Sequence, residues 1–187
     1  ISITIEYFRK KTHFYILVLQ QDIMDFRTAL QIAPTSIQIS HQDSILLLGS
    51  CFSQNIGERL QKYKFNCISN PFGTIFNPIS ISKLLGYACK NQHVTEDELK
   101  FSQGVYVHPD FHSILSDVNE NMALAKINHA IESTHHYTKN CTHLFITLGT
   151  AIAYKMSTTD QIVANCHKLP ASSFQKVDVS ISDGQEA

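Results

Sequence analysis

An α/β fold built on a parallel sheet is predicted by three features of this 187-residue sequence. The run Ile45-Leu46-Leu47-Leu48 is apolar at every position, stops at Gly49, and passes through Ser50-Cys51-Phe52 into a helix-like pattern. A parallel strand covered on both faces reads this way. Strand, tight turn and helix in that order also hold the nucleophile of many α/β enzymes at a strand's carboxyl end. A second apolar run, Leu144-Phe145-Ile146-Thr147-Leu148, likewise stops at a glycine, Gly149. The length is enough for one α/β domain with a sizeable core.

Composition narrows the function classes. Apolar residues make up 43% and charged residues 17%, as in a folded globular protein. With 15 basic and 16 acidic residues the formal charge is −1, and no basic stripe points to nucleic acid or a membrane surface. No apolar run approaches the roughly 20 residues that cross a bilayer. Phe14–Leu19 follows Arg9-Lys10-Lys11, but Gln20-Gln21-Asp22 comes after it where a signal peptide needs a small-residue cleavage site. The five cysteines are Cys51, Cys67, Cys89, Cys141 and Cys166. None forms a CxxC pair, which argues against a zinc ribbon and for free thiols in a reducing, cytoplasmic setting. No cofactor is expected. Ten histidines favour acid/base or metal chemistry without locating it.

Taken in order, the chain first reaches a methionine at Met24. Residues 1–23 are expected outside the fold, with a strand at 14–19 as the alternative, and 24–187 form the domain. Residues 25–44 read as an irregular lead-in with a turn at Pro34-Thr35-Ser36 and a short edge strand at 37–39. After the strand at 45–48, a helix is predicted over 53–63, capped by Ser53, with Ile56, Leu60 and Tyr63 inward. A strand at 65–68 follows. Residues 70–78 carry Pro71, Gly73 and Pro78 among apolar residues, so this loop is expected to pack beside the first strand's end.

A helix at 79–89 is predicted to bury Ile81, Leu84, Leu85 and Ala88. Thr95-Glu96-Asp97-Glu98 reads as a helix start, with acids in its first turn. Residues 101–110 read as a hairpin, and 116–134 as a helix with Val118, Met122, Ala125, Ile127 and Ile131 as its apolar stripe. After the second strong strand, 151–155 and 161–164 read as another hairpin. The polar tail begins at 178. Neither an internal repeat nor a low-complexity tract is present.

Five blocks carry a family resemblance: Gly49-Ser50-Cys51-Phe52, Asn70 to Pro78, Asp110-Phe111-His112-Ser113, Leu148-Gly149-Thr150-Ala151 and Val163 to Pro170. In that order they resemble the GSCFA domain family, which looks like a branch of the SGNH, or GDSL-type, hydrolase superfamily. The resemblance implies a flavodoxin-like three-layer sandwich with a parallel sheet. It also implies ester hydrolysis or acyl transfer on a small-molecule or carbohydrate ester. The superfamily places its serine nucleophile third in a Gly-Asp-Ser run, so alignment on Gly49 puts Cys51 there, with Ser50 as the alternative. Gly73 matches the superfamily's oxyanion glycine. Gly149-Thr150-Ala151-Ile152 stands where Gly-x-Asn-Asp is usual, leaving Thr150 as the third donor. No Asp-x-x-His follows Pro170, so the domain is expected to be incomplete at its C-terminal side and the general base to lie beyond it.

The chemistry implied is attack by the Cys51 sulfur on an acyl carbonyl. Cysteine is more nucleophilic than serine, and a helix N-terminus favours an anion placed on it. His112, Asn165 and His167 are candidates for substrate contact or for orienting other groups. Two rival readings stand. The missing Asp-x-x-His fits a non-catalytic or degenerate binding domain. His108, Asp110 and His112 would instead serve a metal-dependent hydrolase. His135-His136 is expected to face solvent.

Overall fold

The computed structural model describes residues 36–167 and 169–180, together with 8–10, 13–15, 31 and 33. The chain forms two compact units, Ile1–Gln38 and Ile39–Ala187. In the first, β1 (Phe8–Lys10) and β2 (His13–Tyr15) pair antiparallel. The strand expected at 14–19 overlaps β2 at two residues, and its remainder lies outside the described residues. So do the turn at Pro34-Thr35 and most of the extension over 1–23. Residues 37–39 form no strand.

The second unit runs β3 (Ser44–Gly49), α1 (Cys51–Lys62), β4 (Asn66–Ser69), α2 (Pro78–Lys90), β5 (Lys100–Ser102), β6 (Val105–Val107), α3 (Glu120–Asn140), β7 (His143–Thr147), β8 (Ile152–Met156), β9 (Ile162–Val163) and β10 (Phe174–Asp178). The fold is mixed α/β, with three α-helices among the described residues. Its parallel sheet has the order β4-β3-β7, with Ile45 opposite both Cys67 and His143. The predicted central strand is therefore the middle one, and Ile45 to Leu48 are all buried. Leu46 and Leu48 face α2 and α3 through Ile81, Leu84, Ala88, Ile127 and Ile131. Ile45 and Leu47 face α1 and pack with Cys67, Ile56 and Leu60. Burying each such aliphatic side chain stabilises the unit by roughly 1.5–3 kcal/mol.

Helix boundaries moved where capping chemistry dictated. The first helix starts at Cys51, capped by Ser50 rather than Ser53. Ser50 has extended backbone angles, and its hydroxyl accepts from the Phe52 N–H at 3.3 Å. Ser53 and Gly57, four residues apart, are the fully buried positions of α1. A Cβ on Gly57 would meet the Ser69 Cβ at 2.3 Å, so small residues let this helix lie close on the sheet. Tyr63, expected inward, is 69% exposed.

The second helix matches its prediction, capped by Asn77 with Pro78 at the first turn. The expected helix at 95–98 is only a 3₁₀ turn, Glu96–Glu98, closed by a Thr95/Glu98 capping box. The third helix begins at Glu120, because Ser113–Leu115 forms a 3₁₀ turn and Asn119 supplies the cap. It buries Ala123, Ile127, Ala130, Ile131 and Thr134, whereas Val118 and Met122 are exposed. His135 is partly buried, with Nδ1 at 2.7 Å from the Ala88 carbonyl, and only His136 faces solvent.

Strand β7 is apolar yet about half exposed, with Leu144 at 48%, Phe145 at 39% and Ile146 at 45%. Among the described residues it pairs only with β3. A separate antiparallel sheet, β10-β8-β9, follows it. The hairpin of β8 and β9 was expected; β10 was not, because Phe174-Gln175-Lys176-Val177-Asp178 carries only two apolar side chains. No described helix is long and apolar enough to cross a membrane.

Candidate active site

At the carboxyl end of β3 the chain must turn at once from sheet to helix. Gly49 makes that turn with φ +125°, and Asn70 in the following loop ties it down. The Asn70 side chain accepts from the Gly49 N–H at 2.8 Å and donates to the Ser50 carbonyl at 3.2 Å. Its backbone N–H donates to the Leu47 carbonyl, and its own carbonyl receives the Gly73 N–H at 2.8 Å. The Ile75 N–H then donates to the Gly49 carbonyl at 3.0 Å. The loop at 70–78 thus packs against the end of β3, as its apolar character predicted.

Asn70 also sits at φ +43°, which asparagine tolerates better than most residues. Asn70→Ala is expected to lower unfolding free energy by about 2–4 kcal/mol, since it strands buried donors and acceptors. Urea denaturation would measure this, and a loss below about 1 kcal/mol would contradict it.

Three hydroxyls cross this turn. Ser53 Oγ donates to the Leu48 carbonyl at 3.0 Å, so it can only accept from Thr147 Oγ1 at 2.8 Å. The Thr147 proton is then committed, and Thr147 Oγ1 accepts from Ser50 Oγ at 2.9 Å. Each hydroxyl carries one proton, which fixes the chain Ser50 to Thr147 to Ser53 to Leu48. The Ser50 backbone N–H also reaches Thr147, at 3.0 Å from both its carbonyl and its hydroxyl. Ser50 is therefore a cap whose proton is already donated inward. Thr147, a residue that sequence reasoning took only as part of a strand, holds it there.

Cys51, the next residue, is the first of α1 and is exposed, and its thiol is free. Among the described residues its sulfur has no hydrogen-bond partner, and its carbonyl accepts from the Asn55 side chain at 2.9 Å. At a helix start, backbone N–H groups have no intrahelical acceptor.

The other predicted residues divide into two groups. Gly73 lies against His112: at φ +83°, a Cβ there would meet the His112 Cβ at 2.3 Å. His112 Nδ1 accepts from the Ile114 N–H at 3.2 Å, so the neutral ring carries its proton on Nε2. Partial burial holds His112 below its ordinary value. Thr150 follows β7. Its N–H donates to the Phe76 carbonyl at 3.3 Å, and its hydroxyl accepts from the Ile152 N–H at 3.0 Å.

Asn165 and His167 belong elsewhere. Asn165 accepts the His167 N–H, and the N–H groups of Ala164 and Asn165 both reach the Pro109 carbonyl. His167 Nε2 donates to the His108 carbonyl at 2.8 Å, which leaves Nδ1 buried without a hydrogen bond among the described residues. Both residues brace the segment from His108 to His112. His108, Asp110 and His112 do not converge: among the described residues no three His, Cys, Asp or Glu side chains form a metal-binding group.

Burial holds His108 and His167 below the ordinary 6.5. For His108 the Asp110 and Glu98 carboxylates pull the other way, and for His167 the carbonyls of His108 and Phe111 do so. The Phe111 carbonyl acts from nearby without hydrogen-bond geometry. Both rings fold neutral, so the unfolded chain takes up their protons first. Their contribution is fully present above 6.5 and is lost as pH falls through 6.5 toward the folded values. Stability is expected to fall with pH there by up to about 1.4 kcal/mol per unit for each histidine. Urea titrations at several pH values would measure the slope, and His167→Asn should make it shallower. The carboxyls of Asp43, Asp97 and Asp117 are held below 3.8 by hydrogen bonds, so their effect comes at lower pH.

A model of the GSCFA family matches residues 44–187. No curated protein and no solved structure matches the chain.

Proposed function

The chain belongs to the GSCFA family, and from that premise we propose that it is an esterase or acyltransferase of SGNH type whose nucleophile is Cys51. The observation that carries this reading is the exposed Cys51 thiol at the first residue of α1, directly after the central strand. The Cys51 thiol gives its proton to solvent as its sulfur attacks the acyl carbon. The carbonyl π bond opens to an oxyanion, the ester C–O bond then breaks, and the leaving alkoxide takes a proton from solvent. Water or an acceptor hydroxyl attacks the thioester in turn and restores the thiol. Cys51's own N–H and the Thr150 hydroxyl proton are the donors for the oxyanion. The Gly73 N–H joins them only by leaving the Asn70 carbonyl. One such donor is worth about 10²–10³ in rate.

A flavodoxin-like sheet larger than three strands fits the composition of β7, which is apolar on both faces as inner parallel strands are. A hydroxylated, carbohydrate-like acceptor remains the substrate class that the resemblance favours.

The test is to trap the intermediate. The chain is mixed with an aryl acetate, quenched in acid, digested and mapped by mass spectrometry. An acetyl thioester on Cys51 and not on Cys89, which is also an exposed thiol, is the expected result. Equal labelling of both would remove the claim of a built nucleophile. A non-catalytic binding domain is the second reading, favoured by the absence of any hydrogen-bond partner to the Cys51 sulfur among the described residues. Failure to form the adduct would select it.

A further inference from the structure

A cleft of about 350 Å³ whose lining does not include Cys51 lies where the 3₁₀ turn at Glu96–Glu98, α2 and the hairpin of β8 and β9 meet the segment at His108–Asp110. Its wall carries charges that mostly cancel. Asp110 is 5% exposed and is paired with Lys83 at 2.7 Å, and it accepts from the Tyr87 hydroxyl at 3.3 Å. Burial and the Asp110 carboxylate push the Tyr87 phenol up, so it stays a neutral donor. Asp97 and Glu98 face the cleft as acids, and Lys100 as a base whose ammonium lies 3.5 Å from the Met156 sulfur.

One pair in this wall is incomplete. His108 is 5% exposed, and its Nδ1 accepts from the Asp110 N–H at 3.1 Å. The neutral ring therefore carries its proton on Nε2. That N–H has no hydrogen-bond acceptor among the described residues. The nearest carboxylate oxygen is Glu98 Oε1 at 3.9 Å, beyond hydrogen-bond reach. The other Glu98 oxygen is used by the Thr95 N–H and hydroxyl. The donor and the acceptor stand 3.9 Å apart, and one oxygen placed to the side of both can bond to each.

We propose that this cleft binds a neutral polyol, a sugar or sugar alcohol, with one ligand hydroxyl seated between His108 Nε2 and Glu98. A hydroxyl accepts from the N–H and donates to the carboxylate through the same atom. A phosphate or carboxylate could pair with Lys100 but would set its charge against Glu98, the acceptor beside His108. An ammonium could serve Glu98 but would set its protons against the His108 N–H. The volume lies at the small end of ordinary ligand pockets, which run about 300–1,000 Å³. The proposal holds whether or not Cys51 is a nucleophile, because none of these residues belongs to the Gly49–Cys51 turn.

The test is a protein-detected NMR titration of the full chain with D-glucose, D-xylose and N-acetylglucosamine. Inorganic phosphate and putrescine serve as counter-probes. Saturable shifts with at least one sugar are expected, unchanged in Cys51→Ala. Glu98→Gln keeps the capping side chain's shape and should weaken that sugar by about tenfold, the difference between a charged and a neutral acceptor. His108→Asn, if it folds, should do the same. Saturation by phosphate or putrescine alone, no saturation by any of the three sugars, or sugar binding indifferent to Glu98→Gln would each overturn the proposal.

Discussion

Cys51→Ala should abolish aryl-acetate turnover, by at least about 10³-fold, the order of loss seen when a nucleophile is removed. The unfolding midpoint should stay close to that of the parent, because Cys51 is exposed and its sulfur holds no hydrogen bond among the described residues. Cys51→Ser should lose nearly as much, since a hydroxyl is a far weaker nucleophile than a thiol. Ser50→Ala separates the two neighbours. It removes the cap and the first member of the hydroxyl chain, so it should cost about 1 kcal/mol of stability. Its rate should fall much less than that of Cys51→Ala. Steady-state kinetics beside urea melts would test all three. Parent-like turnover in Cys51→Ala would end the nucleophile assignment, whatever the effect at Ser50.

Gly49→Ala should be the most destabilising single methyl in the described chain. A Cβ there would stand 2.1 Å from the Thr147 carbonyl oxygen and 2.9 Å from its carbon. Both atoms are backbone of the paired strand, so no side-chain rotation relieves the contact. Strain at φ +125° adds to it. Strain of about 1–3 kcal/mol and overpacking of about 1–3 kcal/mol together predict a loss of roughly 2–6 kcal/mol. Gly104→Ala is the control. It has φ +84° with open space around its Cβ, so it carries the backbone strain without the clash. Equal losses at the two positions, measured by urea denaturation, would show that the close approach to Thr147 contributes nothing. The same contact reaches the start of α1, because the Ser50 N–H bonds to that Thr147 carbonyl.

Much of the site was legible because it is local. The apolar run of β3, the glycine that ends it and the loop at 70–78 were readable from composition and order. The resemblance to the GSCFA family could be carried residue by residue for the same reason. The misplaced boundaries are also local, but they turn on which of two serines caps a helix. Ser50 and Ser53 look alike in sequence, and only the position of Thr147 makes one a cap and the other a buried strut.

Residues distant in the chain were less legible. His108, Asp110 and His112 sit within five positions, and spacing alone suggested a shared metal. Their Nδ1 atoms and carboxylate are instead taken by neighbouring N–H groups, Lys83 and Tyr87. His167 reads as a loop histidine until its ring is found on the His108 carbonyl, 59 residues away. Local order, through periodicity and the strand-to-helix turn at Gly49–Cys51, determined the α/β class and the place of Cys51 at the end of the central strand. Which hydroxyl keeps its proton, which histidine faces a cleft and which carboxylate is already paired were decided only by tertiary packing. Each depends on a donor or acceptor from another element, and a hydrogen bond exists only when both ends are in place.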